Sequence, residues 1–157
     1  IERSVVWGFD PTHLDSHLSA LVLRPELFDI YIDLACEFSL PIRLADQATE
    51  DNAGFPLRSL AEEEGILSPD RTASLQGNDR QASFTDFVAS LEPGVTELSM
   101  QPAIDTPELR ALLGDTQARI GDHAVLIDPA NRQLLKDAGV QLISWVAIRD
   151  LQRSPGA

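Results

Sequence analysis

Cysteine, basic side chains and long apolar runs are all scarce in this sequence, and each scarcity excludes something. The one cysteine, Cys36, rules out an internal disulfide. Apolar runs stay well short of the roughly 20 residues that a membrane-spanning helix needs. The sequence also contains no glycine-rich phosphate loop, no Gly-x-Ser-x-Gly turn and no Cys-x-x-Cys pair.

The charge balance is strongly acidic. Lysine and arginine number 12 against 25 aspartate and glutamate residues, which gives a formal net charge of −13. Such a chain repels phosphate backbones and anionic membranes, so we expect neither nucleic acid nor a membrane among its partners. The 157 residues, 43% of them hydrophobic, are enough for one globular domain with a sizeable core.

What the sequence does contain is a polar motif at residues 11–17, Pro-Thr-His-Leu-Asp-Ser-His. If this segment is a β-strand, His13, Asp15 and His17 project from one face, because strand side chains alternate. Neutral imidazole and carboxylate groups are ordinary ligands of zinc and other divalent cations. The pattern therefore indicates a metal-binding or catalytic strand face. The alternative is a polar strand end with a helix cap at Asp15 or Ser16.

Strand-like and helix-like segments alternate along the chain, which is typical of α/β proteins. Strands are predicted at residues 11–17, 40–44, 95–101 and 140–145, with one more inside 66–75. Helices are predicted from Pro25, at 55–64, from a Ser83 cap, from Thr106, and at 115–126, 129–138 and 146–153. The polar segment 45–54 is predicted to be a loop.

Three further residues, in two segments, are candidates for contact with a ligand. On the strand at 95–101, Glu97 and Gln101 share one face with Ser99, whereas Leu98 and Met100 occupy the other. A buried parallel strand is apolar on both faces, so the polar face indicates a solvent-filled cleft or, alternatively, a strand at a sheet edge. Arg43, near the end of the strand at 40–44, could meet an anionic or hydroxyl-rich ligand, or equally well pair with one of the many acids.

These residues resemble the motifs of the YdjC-like carbohydrate deacetylases. The segment 11–17 resembles the signature of that family. Residues 96–105 are similar to its later strand, which carries a glutamate and ends in His-Pro, and residues 139–145 resemble its last strand. The order and the distances agree, so the resemblance extends over nearly the whole chain.

The resemblance implies a (β/α) TIM-like barrel with a mostly parallel sheet, of which this chain is the C-terminal part. It also implies removal of acetyl groups from N-acetylated sugars or oligosaccharides with a divalent metal ion, magnesium or zinc. His17 would be a metal ligand, with His13 and Asp15 as catalytic groups beside it. The metal would activate water and polarise the acetamide carbonyl, while a carboxylate or histidine exchanges the proton. We expect Arg43, Glu97 and Gln101 to contact the substrate.

Departures from the family pattern leave alternatives open. The family's Asp-Asp motif and a following histidine are absent, so we expect a single, partial domain that lacks its N-terminal strands and is inactive alone. A half-barrel exposes sheet edges, so we also expect self-association into a homo-oligomer or marginal stability. Gln101 stands where the family usually has histidine, and glutamine cannot shuttle protons. The alternatives are a catalytically impaired sugar-binding or regulatory relative, and an α/β domain whose histidines are incidental.

Overall fold

The structure is a computed structural model that describes residues 1–154. These residues divide into two units, one formed by Ile1–Thr72 with the chain from Ile143 onward, the other by Ala73–Leu142. The helices are α1 Glu2–Val6, α2 Pro25–Phe38, α3 Gln47–Ala53, α4 Leu57–Glu63, α5 Arg80–Ala89, α6 Pro107–Leu112, α7 Thr116–Ile127, α8 Pro129–Asp137 and α9 Trp145–Gln152, with a 3-10 helix at His17–Val22. The strands are β1 Arg71–Ser74 and β2 Thr96–Ser99. Within this described part, no helix has the length and apolar character needed to cross a membrane.

The first unit is organised around α2, whose apolar face fills the core. Pro25 stands at the first helical position, where its missing N–H is not needed. Ser39 ends the helix in a left-handed conformation with φ of 48°. The buried residues recur at helical spacing along one face: Phe28, Tyr31, Ile32 and Ala35. The helix predicted from Pro25 is therefore confirmed.

The two strands predicted in this unit are reduced to one parallel bridge between Leu14 and Ile42. The N–H of Leu14 donates to the carbonyl of Pro41 at 3.0 Å, and the N–H of Arg43 donates to the carbonyl of Leu14 at 2.9 Å. This is the parallel hydrogen-bond pattern. Pro41 has no N–H to donate, which limits how far a ladder can extend. The prediction of full-length strands for these two segments is wrong.

The segment predicted as a loop after Arg43 contains α3. The Asp46 side chain accepts the N–H of Thr49 at 2.9 Å and so caps the start of this helix, while Gly54 ends it with φ of 77°. Both residue types are common at helix ends, but the segment between them is polar and has no apolar periodicity that would predict a helix.

The strand predicted at 140–145 does not form in the described chain. Leu142 is 74% exposed, and Trp145 is already the first residue of α9. The Gln152 side chain at the end of α9 accepts the N–H of Leu67 at 2.6 Å. Side-chain contacts such as this one, rather than a sheet ladder, therefore hold this part of the chain within the first unit.

The second unit has its own apolar core. Its buried members are Leu75, Phe84, Val88 and Val125, with Phe87, Leu98, Met100, Leu134 and Leu135 packed against them. Strands β1 and β2 form a two-stranded sheet. The helices predicted from Thr106, at 115–126 and at 129–138 are confirmed to within a turn as α6, α7 and α8, and those at 55–64 and 146–153 in the first unit as α4 and α9.

The start of α5 corrects one prediction. Asp79, not Ser83, is the N-cap, and its side chain accepts the N–H of Ala82 at 2.9 Å. Ser83 lies inside the helix, and its Oγ accepts the N–H of Gln76 at 2.9 Å. The helix therefore begins a turn earlier than its sequence indicated.

Candidate functional site

The Leu14–Ile42 bridge determines which way the polar side chains of the first unit face. Leu14 packs against the apolar core, so its neighbours along the extended segment face the opposite way. Asp15 is one of these neighbours, and its Oδ1 lies 3.6 Å from Arg43 Nη1. The buried hydroxyl of Tyr31 stabilises the Leu14–Ile42 bridge from the core side, because it lies 2.6 Å from the carbonyl oxygen of Leu14 and 3.1 Å from that of Arg43.

His13, on the other side of Leu14, is held by two neighbours. Its Nδ1 lies 2.9 Å from Thr12 Oγ1. Its ring stacks on the indole of Trp145, with the centroids 4.2 Å apart and the planes inclined by 12°. The structure thus brings together three predicted site residues, His13, Asp15 and Arg43, around one backbone bridge. The sequence interpretation had missed Trp145 as a partner of His13.

His17 does not lie on the strand face predicted for it. The extended segment ends at Ser16, and His17 is the exposed first residue of the 3-10 helix. Ser16 is only 9% exposed, and its Oγ accepts the N–H of Leu21 at 2.8 Å. A serine at the helix start therefore separates His17 from the two preceding candidates, because the chain turns there. This agrees in part with the alternative of a helix cap at Ser16.

A divalent metal does not fit the described residues by themselves. Among residues 1–154, no group of three or more histidine, cysteine, aspartate or glutamate side chains is placed to hold a metal ion. Protein-bound zinc needs at least three such ligands. His17 could supply one of them from its exposed position.

In the second unit, the predicted alternation along the later strand is confirmed for residues 98–101. Leu98 and Met100 pack against the core, whereas Ser99 and Gln101 line a small polar cavity of about 170 Å³. Glu97 lies on the same strand and is half-buried. The other residues lining the cavity are Ser74, Leu75, Arg80, Asp115, Ala118, Arg119 and Asp122.

A buried ion pair forms the wall of this cavity. Asp122 Oδ1 lies 3.1 Å from Arg80 Nε, and these side chains are 7% and 14% exposed. Asp122 Oδ2 accepts the backbone N–H of Gln101 at 3.0 Å, and Arg80 Nη1 donates to the carbonyl of Leu75. The pair therefore fixes the backbone at the predicted ligand-contacting residue. No sequence signal singled out Asp122 among the acids.

Glycine at position 121 makes room for this pair. A Cβ added there would lie 2.6 Å from Cγ and 3.0 Å from Cβ of Arg80, closer than atoms normally approach. Asp115, which also lines the cavity, forms a second and more exposed ion pair with Arg119. The hydrogen bond that Arg119 donates holds the pKa of the Asp115 carboxyl below its usual value. The cavity thus presents paired charges, with both hydrogen-bond donors and acceptors.

The chain is similar to known proteins over most of its length. The family described as YdjC-like protein matches residues 1–137. A carbohydrate deacetylase from Thermus thermophilus is 34% identical over 149 residues, which is 90% of this chain and 54% of that protein. A carbohydrate deacetylase from Geobacillus stearothermophilus is 31% identical over 146 residues, 92% of this chain and 55% of that protein.

A solved structure shares the fold. It is that of a protein from Enterococcus faecalis described as a cellobiose-phosphate cleavage protein, with a TM-score of 0.72, 19% identity, and coverage of 90% of this chain and 54% of that one. The α/β class is thereby confirmed, while closure into a TIM-like barrel stays a prediction. The chain spans about half the length of the curated relatives it matches. With the motif residues, the family match and these relatives in agreement, the chain belongs to the YdjC-like protein family.

Proposed function

We propose that this chain forms part of a hydrolase that removes acetyl groups from N-acetylated carbohydrates. The observation that carries the proposal is the 34% identity, over 90% of the chain, to a carbohydrate deacetylase. The grouping of His13, Asp15 and Arg43 around one backbone bridge supports it, because general acid–base chemistry needs such groups fixed near each other.

In this proposal His13 and Asp15 are the catalytic groups. Hydrolysis of an acetamide needs a proton removed from the attacking water and a proton delivered to the leaving amine nitrogen. Imidazole can do either near neutral pH, and a carboxylate can accept a proton from water. Arg43 Nη1 lies 3.6 Å from Asp15 Oδ1, so the ion pair holds the Asp15 carboxylate in place beside the bridge.

Arg43, Glu97 and Gln101 are proposed to bind the sugar. Guanidinium and primary amide groups donate hydrogen bonds, whereas carboxylates accept them, and a sugar hydroxyl can do both. Ser99 and Gln101 face a cavity whose walls carry both donors and acceptors. That arrangement suits a neutral, hydroxyl-rich ligand better than a highly charged one.

A divalent metal, magnesium or zinc, is proposed as cofactor, with His17 as one ligand. The described residues hold no group of three such ligands. The chain spans about half the length of its curated relatives, so we propose that the other ligands lie in the part of the whole protein that this chain does not cover. Self-association into a homo-oligomer likewise stays a prediction.

The test is acetate release by the intact protein that contains this chain, measured over a panel of N-acetylated mono- and disaccharides. We expect release with the wild type, loss with His13→Gln, and normal release with His123→Gln, a matched exchange in α7. Elemental analysis of the His17→Ala variant tests the metal separately. No acetate from any N-acetylated sugar would overturn the proposed activity, whatever the metal content.

A second candidate is a sugar-binding relative with impaired catalysis, which Gln101 favours. Glutamine lines the cavity at a position where the family usually has histidine, and it cannot exchange protons. Under this alternative Gln101→His creates or greatly raises acetate release while the sugar Kd stays unchanged. Full turnover by the wild type would remove this candidate.

A further inference from the structure

The stack between His13 and Trp145 is the side-chain contact that the proposed chemistry leaves unexplained. The two rings are nearly parallel, inclined by 12° with the centroids 4.2 Å apart. Aromatic rings in contact often pack edge to face or at an angle, as the tilted pairs Phe28–Phe55 and Phe28–Tyr31 do in the same unit. A parallel stack therefore fixes the plane of the imidazole ring.

A second contact fixes the ring within that plane. Thr12 Oγ1 lies 2.9 Å from His13 Nδ1. Rotation about the side-chain bonds of His13 would lose this hydrogen bond, and tilting would lose the stack. Together the two contacts leave the imidazole one orientation.

The backbone segments that carry His13 and Trp145 are each held in place by further contacts. Leu14, the next residue after His13, is held by the parallel bridge. Trp145 is the first residue of α9. Two arginines of the C-terminal segment bind the Asp10 carboxylate near the start of the chain: Arg149 Nη1 lies 2.6 Å from Oδ2 and Arg153 Nη1 lies 3.0 Å from Oδ1. The indole is thus presented to His13 by an element that is itself tied down within the first unit.

We propose that Trp145 is a positioning residue, which stacks on His13 and holds its imidazole in the orientation needed for proton transfer. This inference rests on the proposed function, because that function gives His13 its catalytic role. A residue that merely fills space could be replaced by another apolar side chain without loss of turnover. A positioning residue could not, because a small misplacement of a reacting group slows the reaction steeply.

The experiment compares Trp145→Leu, which keeps an apolar but smaller side chain and removes the aromatic face, with Trp145→Phe, which keeps a ring. In the intact protein we expect Trp145→Leu to lower kcat by about 10- to 100-fold with KM nearly unchanged. Trp145→Phe should restore most of the turnover. Trp7→Leu is the control, because Trp7 is 69% exposed and contacts Arg3. It should change neither constant.

A second readout does not depend on activity. A ring stacked on indole has its carbon-bound protons shifted upfield in the NMR spectrum, so the His13 ring protons should be upfield in the wild type and move downfield in Trp145→Leu. Loss of this shift with an unchanged kcat would overturn the proposal, as would absence of the shift in the wild type. If the wild type shows the shift but releases no acetate, the proposed function fails while the stack itself is supported.

Discussion

The two units place their polar side chains by different means. In the first unit, the support is a backbone bridge between Leu14 and Ile42, and the Asp15–Arg43 pair lies on top of it with the Asp15 side chain 47% exposed. In the second unit, the support is itself an ion pair, and the side chains of Asp122 and Arg80 are 7% and 14% exposed.

Because of this difference, we expect the Asp15–Arg43 pair to contribute little to the stability of the first unit and the Asp122–Arg80 pair to contribute strongly to that of the second. An exposed ion pair contributes little to stability, because water screens it, so the fold of the first unit does not depend on the Asp15–Arg43 pair. A buried pair is costly to break, because the remaining charge stays desolvated. In the second unit, the group that fixes the Gln101 backbone therefore also determines whether the unit stays folded.

The largest expected effect comes from Asp122→Asn. This change keeps the size of the side chain but leaves Arg80 as a buried charge, so the free energy of unfolding should fall by about 3 kcal/mol or more. Urea denaturation followed by circular dichroism measures it. The matched control is Asp15→Asn in the first unit, where the exposed pair predicts a loss of less than about 1 kcal/mol. Equal losses in the two variants would show that burial does not distinguish the pairs.

Gly121→Ala should disturb the same ion pair without removing either charge. The new methyl group would crowd Arg80, with a cost of about 1–3 kcal/mol for overpacking. The higher helix propensity of alanine offsets about 1 kcal/mol of this, so we expect a net destabilisation of up to about 2 kcal/mol. Thermal unfolding measures it.

Gly114→Ala is the control for that substitution. A Cβ at Gly114 meets nothing within 4 Å. The control should therefore leave the unfolding transition unchanged or raise it slightly, since alanine restricts the unfolded chain. A Gly121→Ala protein as stable as its control would mean that Arg80 moves aside at no cost.

Tyr31→Phe tests an uncharged contact that stabilises the Leu14–Ile42 bridge in the first unit. The substitution removes the hydroxyl that reaches the carbonyl oxygens of Leu14 and Arg43 but keeps the ring in the core. We expect a loss of about 1 kcal/mol, the usual contribution of a hydrogen bond in a protein. Chemical denaturation measures it, and a loss as large as that of Asp122→Asn would contradict the contrast between the units.

Local signals in the sequence predicted most helices. Proline at the first helical position marks α2, α6 and α8. These signals work because capping and periodicity depend on residues within a turn or two. The strand predicted at 140–145 failed because a strand needs a partner, and an apolar run does not show whether one exists.

The candidate site divides in the same way. His13 and Asp15 belong to one short motif, so they could be predicted together. Asp122 could not be predicted, because its partner Arg80 is distant in the sequence and nothing next to Asp122 distinguishes it from the many other acidic residues. Trp145 was missed as a partner of His13 for the same reason, since only the fold brings the two ends of the first unit together.

The smallest expected effect concerns the turn that follows His17. Leu18 and Ser19 have φ of 52° and 56°, the left-handed region that costs an ordinary residue roughly 1–2 kcal/mol. Leu18 is 85% exposed, so Leu18→Gly removes strain and little packing. Glycine also has more freedom in the unfolded chain, which opposes the gain by about 0.5–1 kcal/mol. The net expectation is a stabilisation of about 0.5 kcal/mol, read from the urea midpoint.

The control for this turn is Leu23→Gly. Leu23 is also exposed, at 64%, but its φ of −76° is ordinary, so glycine relieves nothing there and should destabilise. Opposite signs for the two variants would show that the backbone after His17 is held in a conformation its own residues disfavour. The same sign for both would mean that this turn stores no strain, and that the hydrogen bond from Leu21 N–H to Ser16 Oγ is enough to explain the position of His17.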